Sequence, residues 1–182
     1  RSAQTALWTI LHHLVRLLAP LIPFTTEEVW QHLRFVADLP ESVHLADFPT
    51  PHAVWLDAGL LAKWERMLTI RELVSKALET ARQENRIGNS LEARISVLAN
   101  PGDFAFLKCM ADDLRYIFIV SAVDLAEKPG VGDGQPEVAV YKADGAKCER
   151  CWNYSERVGA FADFPTVCER CVPVVRTLAR KV

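Results

Sequence analysis

No apolar run in this sequence approaches the roughly 20 residues of a membrane-spanning helix; the longest are short stretches such as that from Tyr116 to Val120. Strong charge of one sign is also missing, with 21 Lys and Arg against 23 Asp and Glu and a net charge of -2. Any nucleic-acid contact must therefore be local rather than spread over the whole surface. Eight glycines and ten prolines in 182 residues, without a period, exclude a collagen-like chain. With half of its residues hydrophobic, the chain can bury one or two real cores and is not disordered. It starts on Arg1 and runs straight into a helical pattern without a signal-peptide segment, which predicts a soluble piece of something longer.

What is present is organised in blocks. The charge divides into -3 over residues 1–60, +2 over 61–100, -4 over 101–146 and +3 over 147–182. Leu7, Ile10, Leu11, Leu14, Val15 and Leu18 recur at helical spacing and predict a helix over 2–18, stopped by Pro20. Thr25 and Glu28 have capping-box spacing, and Phe24 and Val29 have that of a hydrophobic staple, so a second helix is expected from Thr26 to about Ala37. Residues 38–56, with Pro40, Pro49 and Pro51, read as a surface linker. A long helix over 58–85 carries Leu60, Trp64, Met67, Leu68, Val74, Leu78 and Ala81 on one face, with Gly88 as its stop. Alternation at Ile95, Val97 and Ala99 predicts a strand, followed by a turn and a short helix bearing Phe104, Leu107 and Leu114. Residues 117–120 and 138–141 read as further strands around a loop at 128–134. The resulting fold class is α+β: helices, then a small mixed α/β unit, then a cysteine module.

The cysteines carry the strongest chemical signal. Cys148 and Cys151, and Cys168 and Cys171, form two Cys-x-x-Cys pairs separated by sixteen residues. Each such turn points two thiolates at one centre, and two turns complete a tetrahedral sulfur shell for zinc with bonds of about 2.3 Å. A shell of four protein ligands leaves no position for water, so the expected role is structural. Disulfides fit poorly with five cysteines, and a redox pair explains only one of the two turns; iron–sulfur ligation is a further alternative. Cys109, beside Leu107 and Met110, reads as a buried inert thiol. Lys147, Arg150, Arg157, Arg170 and Arg176 flank the turns, and Trp152 and Tyr154 add aromatic faces, a mixture suited to phosphate contacts and base stacking on RNA. Trp152 is either a stacking platform or the apolar plug of the small module.

The segments LAPLIPFTTEEVW at 18–30, SVHLADFP at 42–49, KALE at 76–79 and IGNSLEA at 87–93 resemble the end of the helical anticodon-binding domain, and the stretch C-terminal to it, in the class I synthetases for isoleucine, valine and leucine. CERCW at 148–152 with CERC at 168–171 resembles the C-terminal zinc finger of the bacterial-type isoleucyl-tRNA synthetases; a related finger occurs in formamidopyrimidine-type DNA glycosylases. The resemblance implies a multidomain fragment: 1–56 as the end of the anticodon-binding domain and a linker, 57–146 as a long helix plus a small α/β unit, and 147–182 as the zinc finger. It further implies a cytoplasmic, monomeric ligase of isoleucine to tRNA(Ile). ATP would be used only by an N-terminal catalytic domain; neither its motifs nor an editing domain has a match here. No catalytic residue is expected in this stretch; His12 and His13 lie in an amphipathic helix without a carboxylate or Cys partner nearby in sequence. One zinc is expected on Cys148, Cys151, Cys168 and Cys171. RNA contacts are expected from Arg150, Trp152, Arg157 and Arg170, and from Arg82 and Arg86 in the second basic block. The rival readings are a stand-alone zinc-ribbon module for nucleic acid or protein, and the equivalent region of a valyl- or leucyl-tRNA synthetase.

Overall fold

The computed structural model describes residues 2–33, 39–128 and 134–179. They fall into two compact units, Arg1–Asp57 and Ala58–Val182.

In the first unit, α1 (Ser2–Leu18) and α2 (Pro23–Leu33) enclose a small core of Val15, Ala19, Trp30, Leu33 and Val43. The apolar spacing in α1 is real, but Leu7, Ile10, Leu11 and Leu14 are exposed and Val15 is the residue it buries. His12 lies between two indoles, with ring centroids 4.8 Å from Trp8 and 5.6 Å from Trp30.

The start of α2 differs from the expected capping box. Pro23 opens the helix, because its fixed φ and missing N–H suit the first helical position. Thr25 is thus already inside the helix, Phe24 is exposed rather than stapled, and Thr26 Oγ1 donates back to Ile22 O and Pro23 O at 3.0 and 3.1 Å. The expected end near Ala37 lies outside the described residues. The predicted linker also contributes to the core: a 3-10 turn at Val43–Leu45 buries Val43, and Trp30 Nε1 donates to Pro40 O at 2.9 Å. Glu27 holds that turn, accepting from Ser42 Oγ at 2.7 Å and Val43 N at 3.0 Å.

The second unit begins with α3 (Ala58–Gln83), which buries Met67, Ile70, Val74, Leu78 and Ala81. Its first turns behave differently: Leu60, Trp64 and Leu68 are exposed. Asn85 rather than Gly88 ends the helix. It adopts the left-handed conformation at φ 57°, while Asn85 N donates to Arg82 O and Arg86 N to Ala81 O, the paired bonds of a Schellman closure.

Strand β1 (Ala93–Ala99) has strictly alternating burial and is the centre of a three-stranded sheet. It pairs in parallel with β2 (Ala122–Glu127) and antiparallel with β3 (Glu137–Lys142). The β1–β2 crossover holds two helices where one was expected: α4 (Pro101–Lys108), capped by Asn100 Oδ1 on Asp103 N, and α5 (Ala111–Phe118). Residues 117–120 are consequently not a strand. Ile119 ends α5 at φ 57°, Val120 N reaches back to Arg115 O, and β2 begins only at Ala122. Leu107, Leu114 and Phe118 join α3 and the sheet in one core with Ile95 and Val97. Cys109 is exposed, since it follows the last turn of α4 rather than facing that core. Of the predicted loop at 128–134, residues 129–133 lie outside the described residues.

Candidate metal centre and nucleic-acid interface

Three short elements build the cysteine module: β4 (Ala146–Lys147), its antiparallel partner β5 (Tyr154–Ser155), and α6 (Val172–Ala179). The first Cys-x-x-Cys turn is the connection of the β4–β5 hairpin. Within it Trp152 N donates to Cys148 O at 2.8 Å and Cys148 N to Asn153 O at 2.9 Å. The second turn leads into α6, with Cys171 N and Val172 N both donating to Cys168 O. Gly145 stands at the foot of the hairpin at φ 83°, where a Cβ would come within 2.2 Å of the Ser155 carbonyl carbon. Glycine is the residue that fits both the conformation and the space.

The two turns bring the four cysteines together. Their sulfurs lie within 4.8 Å of one another, and Cys151 and Cys168 are 3.6 Å apart. A tetrahedron of sulfurs with 2.3 Å bonds to zinc has edges of about 3.8 Å, so this donor set fits that ion. Cys148, Cys168 and Cys171 are buried, and Cys151 is partly so. Burial is the largest influence on Cys148 and pushes its thiol up. The N–H groups of Cys151, Cys168 and Arg150 together outweigh that and hold it at about 6. Cys168, where burial dominates, is pushed up to about 12, and Cys171 moves in the same direction for the same reason. The remaining core is slight: Val167 and Val172, with Val158, Phe161 and Phe164 against them.

Trp152 is not the plug of this core. It is 60% exposed, held in the left-handed region at φ 66°, and Lys147 Nζ stands 4.9 Å from its ring centroid. Arg150 is exposed, and its Nη1 donates to Cys171 Sγ at 3.5 Å. Arg157 lies over Phe161 at 5.4 Å, and Arg170 over Tyr116 of α5 at 4.7 Å. Arg176 pairs with Asp163. Arg82 and Arg86 stand away from the turns, at the end of α3: Arg82 pairs with Glu79, while Arg86 pairs with Glu84 and donates to Val140 O at 2.7 Å. Sequence reasoning missed Ser121. This buried hydroxyl accepts from Tyr154 N at 2.7 Å and donates to Leu91 O at 2.5 Å, tying the module to the strand layer, and nothing in the local sequence signals a serine in that role.

A family model, the anticodon-binding domain of tRNA ligase, matches residues 1–97, more than half of the chain. The chain belongs to that family. A second model, the zinc finger found in FPG and IleRS, matches residues 145–174 of this family member and contains all four clustered cysteines. Its relatives include the isoleucine–tRNA ligase of Moorella thermoacetica, 46% identical over 98% of this chain and 20% of the relative. That of Geobacter sulfurreducens is 42% identical over 97% of the chain and 20% of the relative. The Staphylococcus aureus (strain JH9) ligase is 44% identical over 98% and 19%. This anticodon-binding family member thus spans about a fifth of the length of the curated relatives it matches. Among its described residues no helix is long and apolar enough to cross a membrane.

Proposed function

We propose that this chain is the tRNA-binding C-terminal region of an isoleucine–tRNA ligase, reading the anticodon side of tRNA(Ile). Activation of isoleucine with ATP, and editing, would belong to catalytic and editing domains N-terminal to it, in a cytoplasmic, monomeric enzyme. The division proposed is 1–56 and 57–146 as helical and mixed supports, with 147–182 as a zinc-stabilised finger. Cys148, Cys151, Cys168 and Cys171 would hold one zinc, which supplies a rigid cross-link rather than a reactive water.

Trp152 carries the reading. A bulky side chain in the left-handed region is uncommon, and such outliers concentrate at functional sites. Here the outlier projects an indole into solvent beside the Lys147 ammonium, an aromatic face for a base next to a cation for its phosphate. Arg157 and Arg170 are held over aromatic rings and would position the backbone. Arg150 keeps guanidinium donors beyond the one given to sulfur, and Arg82 and Arg86, already paired to acids, would add a second basic contact. Titration with tRNA(Ile) and a non-cognate tRNA at two salt concentrations tests the proposal. A preference for tRNA(Ile) that persists as salt rises supports it, because counterion release is blind to sequence. Equal affinity for both tRNAs at each salt would reduce the region to a non-specific RNA-binding tail.

A further inference from the structure

We infer that Arg150 is a positioning residue of the metal centre, a charged strap from the first cysteine turn to a sulfur of the second. The inference rests on the zinc reading above. Arg150 belongs to the first turn, yet its Nη1 donates to Cys171 Sγ of the second, 21 positions away. One residue of the first turn thereby holds a sulfur of the second.

The other cations around the module point elsewhere: Lys147 to the Trp152 ring, Arg157 to Phe161, Arg170 to Tyr116 and Arg176 to Asp163. Among the described residues, Arg150 is the cationic side chain that donates to a clustered sulfur. Electrostatics give this contact a purpose. Four thiolates around a divalent ion leave a net charge near -2 in a partly buried site, and neutral amide donors such as Cys168 N, 3.3 Å from Cys148 Sγ, polarise the sulfurs without cancelling that charge. A guanidinium does both, through a charge-assisted hydrogen bond that favours the ionised sulfur over the thiol. It also links the two turns, so separating them requires breaking the bond.

The test needs no RNA. Zinc affinity of the 182-residue chain is measured by chelator competition for the unaltered protein, Arg150→Ala and Arg150→Lys, and each is loaded with cobalt to record the sulfur-to-cobalt charge-transfer band. Arg150→Ala is expected to weaken zinc binding about 10- to 100-fold, the range seen when outer-shell partners of metal ligands are removed. It should also shift the band, because a hydrogen bond on a ligating sulfur lowers its donor energy. Arg150→Lys, which keeps the charge but not the planar fork, should recover part of both effects. Unchanged affinity in Arg150→Ala overturns the inference; so does weakened affinity with an unshifted band and no recovery by lysine, which would mark a merely structural loss. If the unaltered chain holds no zinc, the metal reading itself fails, and that result precedes any variant.

Discussion

Trp152 and Glu27 show how single side chains divide between function and stability. At φ 66° a tryptophan is strained where glycine is not, so Trp152→Gly should leave zinc content intact and not lower the thermal stability of the module. The same change removes the exposed ring and should cost on the order of 1–3 kcal/mol in tRNA binding, read by titration at fixed salt. Loss of zinc would return Trp152 to the role of structural plug. Glu27 acts within its own unit. Donation by Ser42 Oγ is the main cause holding its carboxyl below the ordinary glutamate value of 4.5; burial, the next largest influence, opposes it, and Gln31, Val43 N and His44 add smaller downward effects. A depressed carboxyl stabilises the fold above its ordinary value, and that contribution is lost as pH falls through the folded value. Glu27→Gln should therefore weaken hydrogen-exchange protection of the Val43 amide by about 1 kcal/mol near neutrality. The difference between the two proteins should shrink as pH falls below 4.5 and vanish only once it is below the folded value; a difference that persists there would show that shape rather than charge is responsible.

Among the elements, the β4–β5 hairpin is the one whose backbone leaves least room. Gly145 combines φ 83° with a backbone neighbour 2.2 Å from the position of a Cβ, and a carbonyl carbon cannot move aside as a flexible side chain would. Gly145→Ala should destabilise the module by at least about 2 kcal/mol, seen as early loss of zinc in a chelator titration. Gly159, also at positive φ but in open space, provides the contrast. Gly159→Ala should cost less, about 1 kcal/mol, because only the conformational penalty applies. Similar costs in the two variants would show that the close approach at Gly145 is relieved by movement of the hairpin.

At the scale of the molecule, the second unit contains two cores of unequal strength. Met67, Val74, Ile95, Val97, Leu107 and Leu114 are sealed in a helix–sheet core that can stand without metal, whereas the cysteine module buries little beyond its own sulfurs, Val167 and Val172. Metal removal is expected to abolish amide protection in 148–172 while protection of Ile95 and Val97 persists, which hydrogen exchange before and after chelation would show. Simultaneous loss of both sets would mean that the Ser121 link makes the two cores one cooperative unit. The local pattern alone determined the elements whose signal is periodic or covalent: α1, α3, β1 and β3 follow from apolar spacing, and the four cysteines from the repeat of a four-residue turn. Only the folded structure decided where α2 begins and where α3 and α5 end, because local signals of similar strength compete there: Pro23 wins through its fixed φ, and Asn85 and Ile119 through left-handed caps whose N–H groups bond back to the last helical turn. It also decided what each arginine does. A guanidinium is equally at home on a phosphate, a carboxylate, an aromatic face or a sulfur, so its partner depends on what the fold brings within reach: sulfur for Arg150, Tyr116 for Arg170 and Glu84 for Arg86.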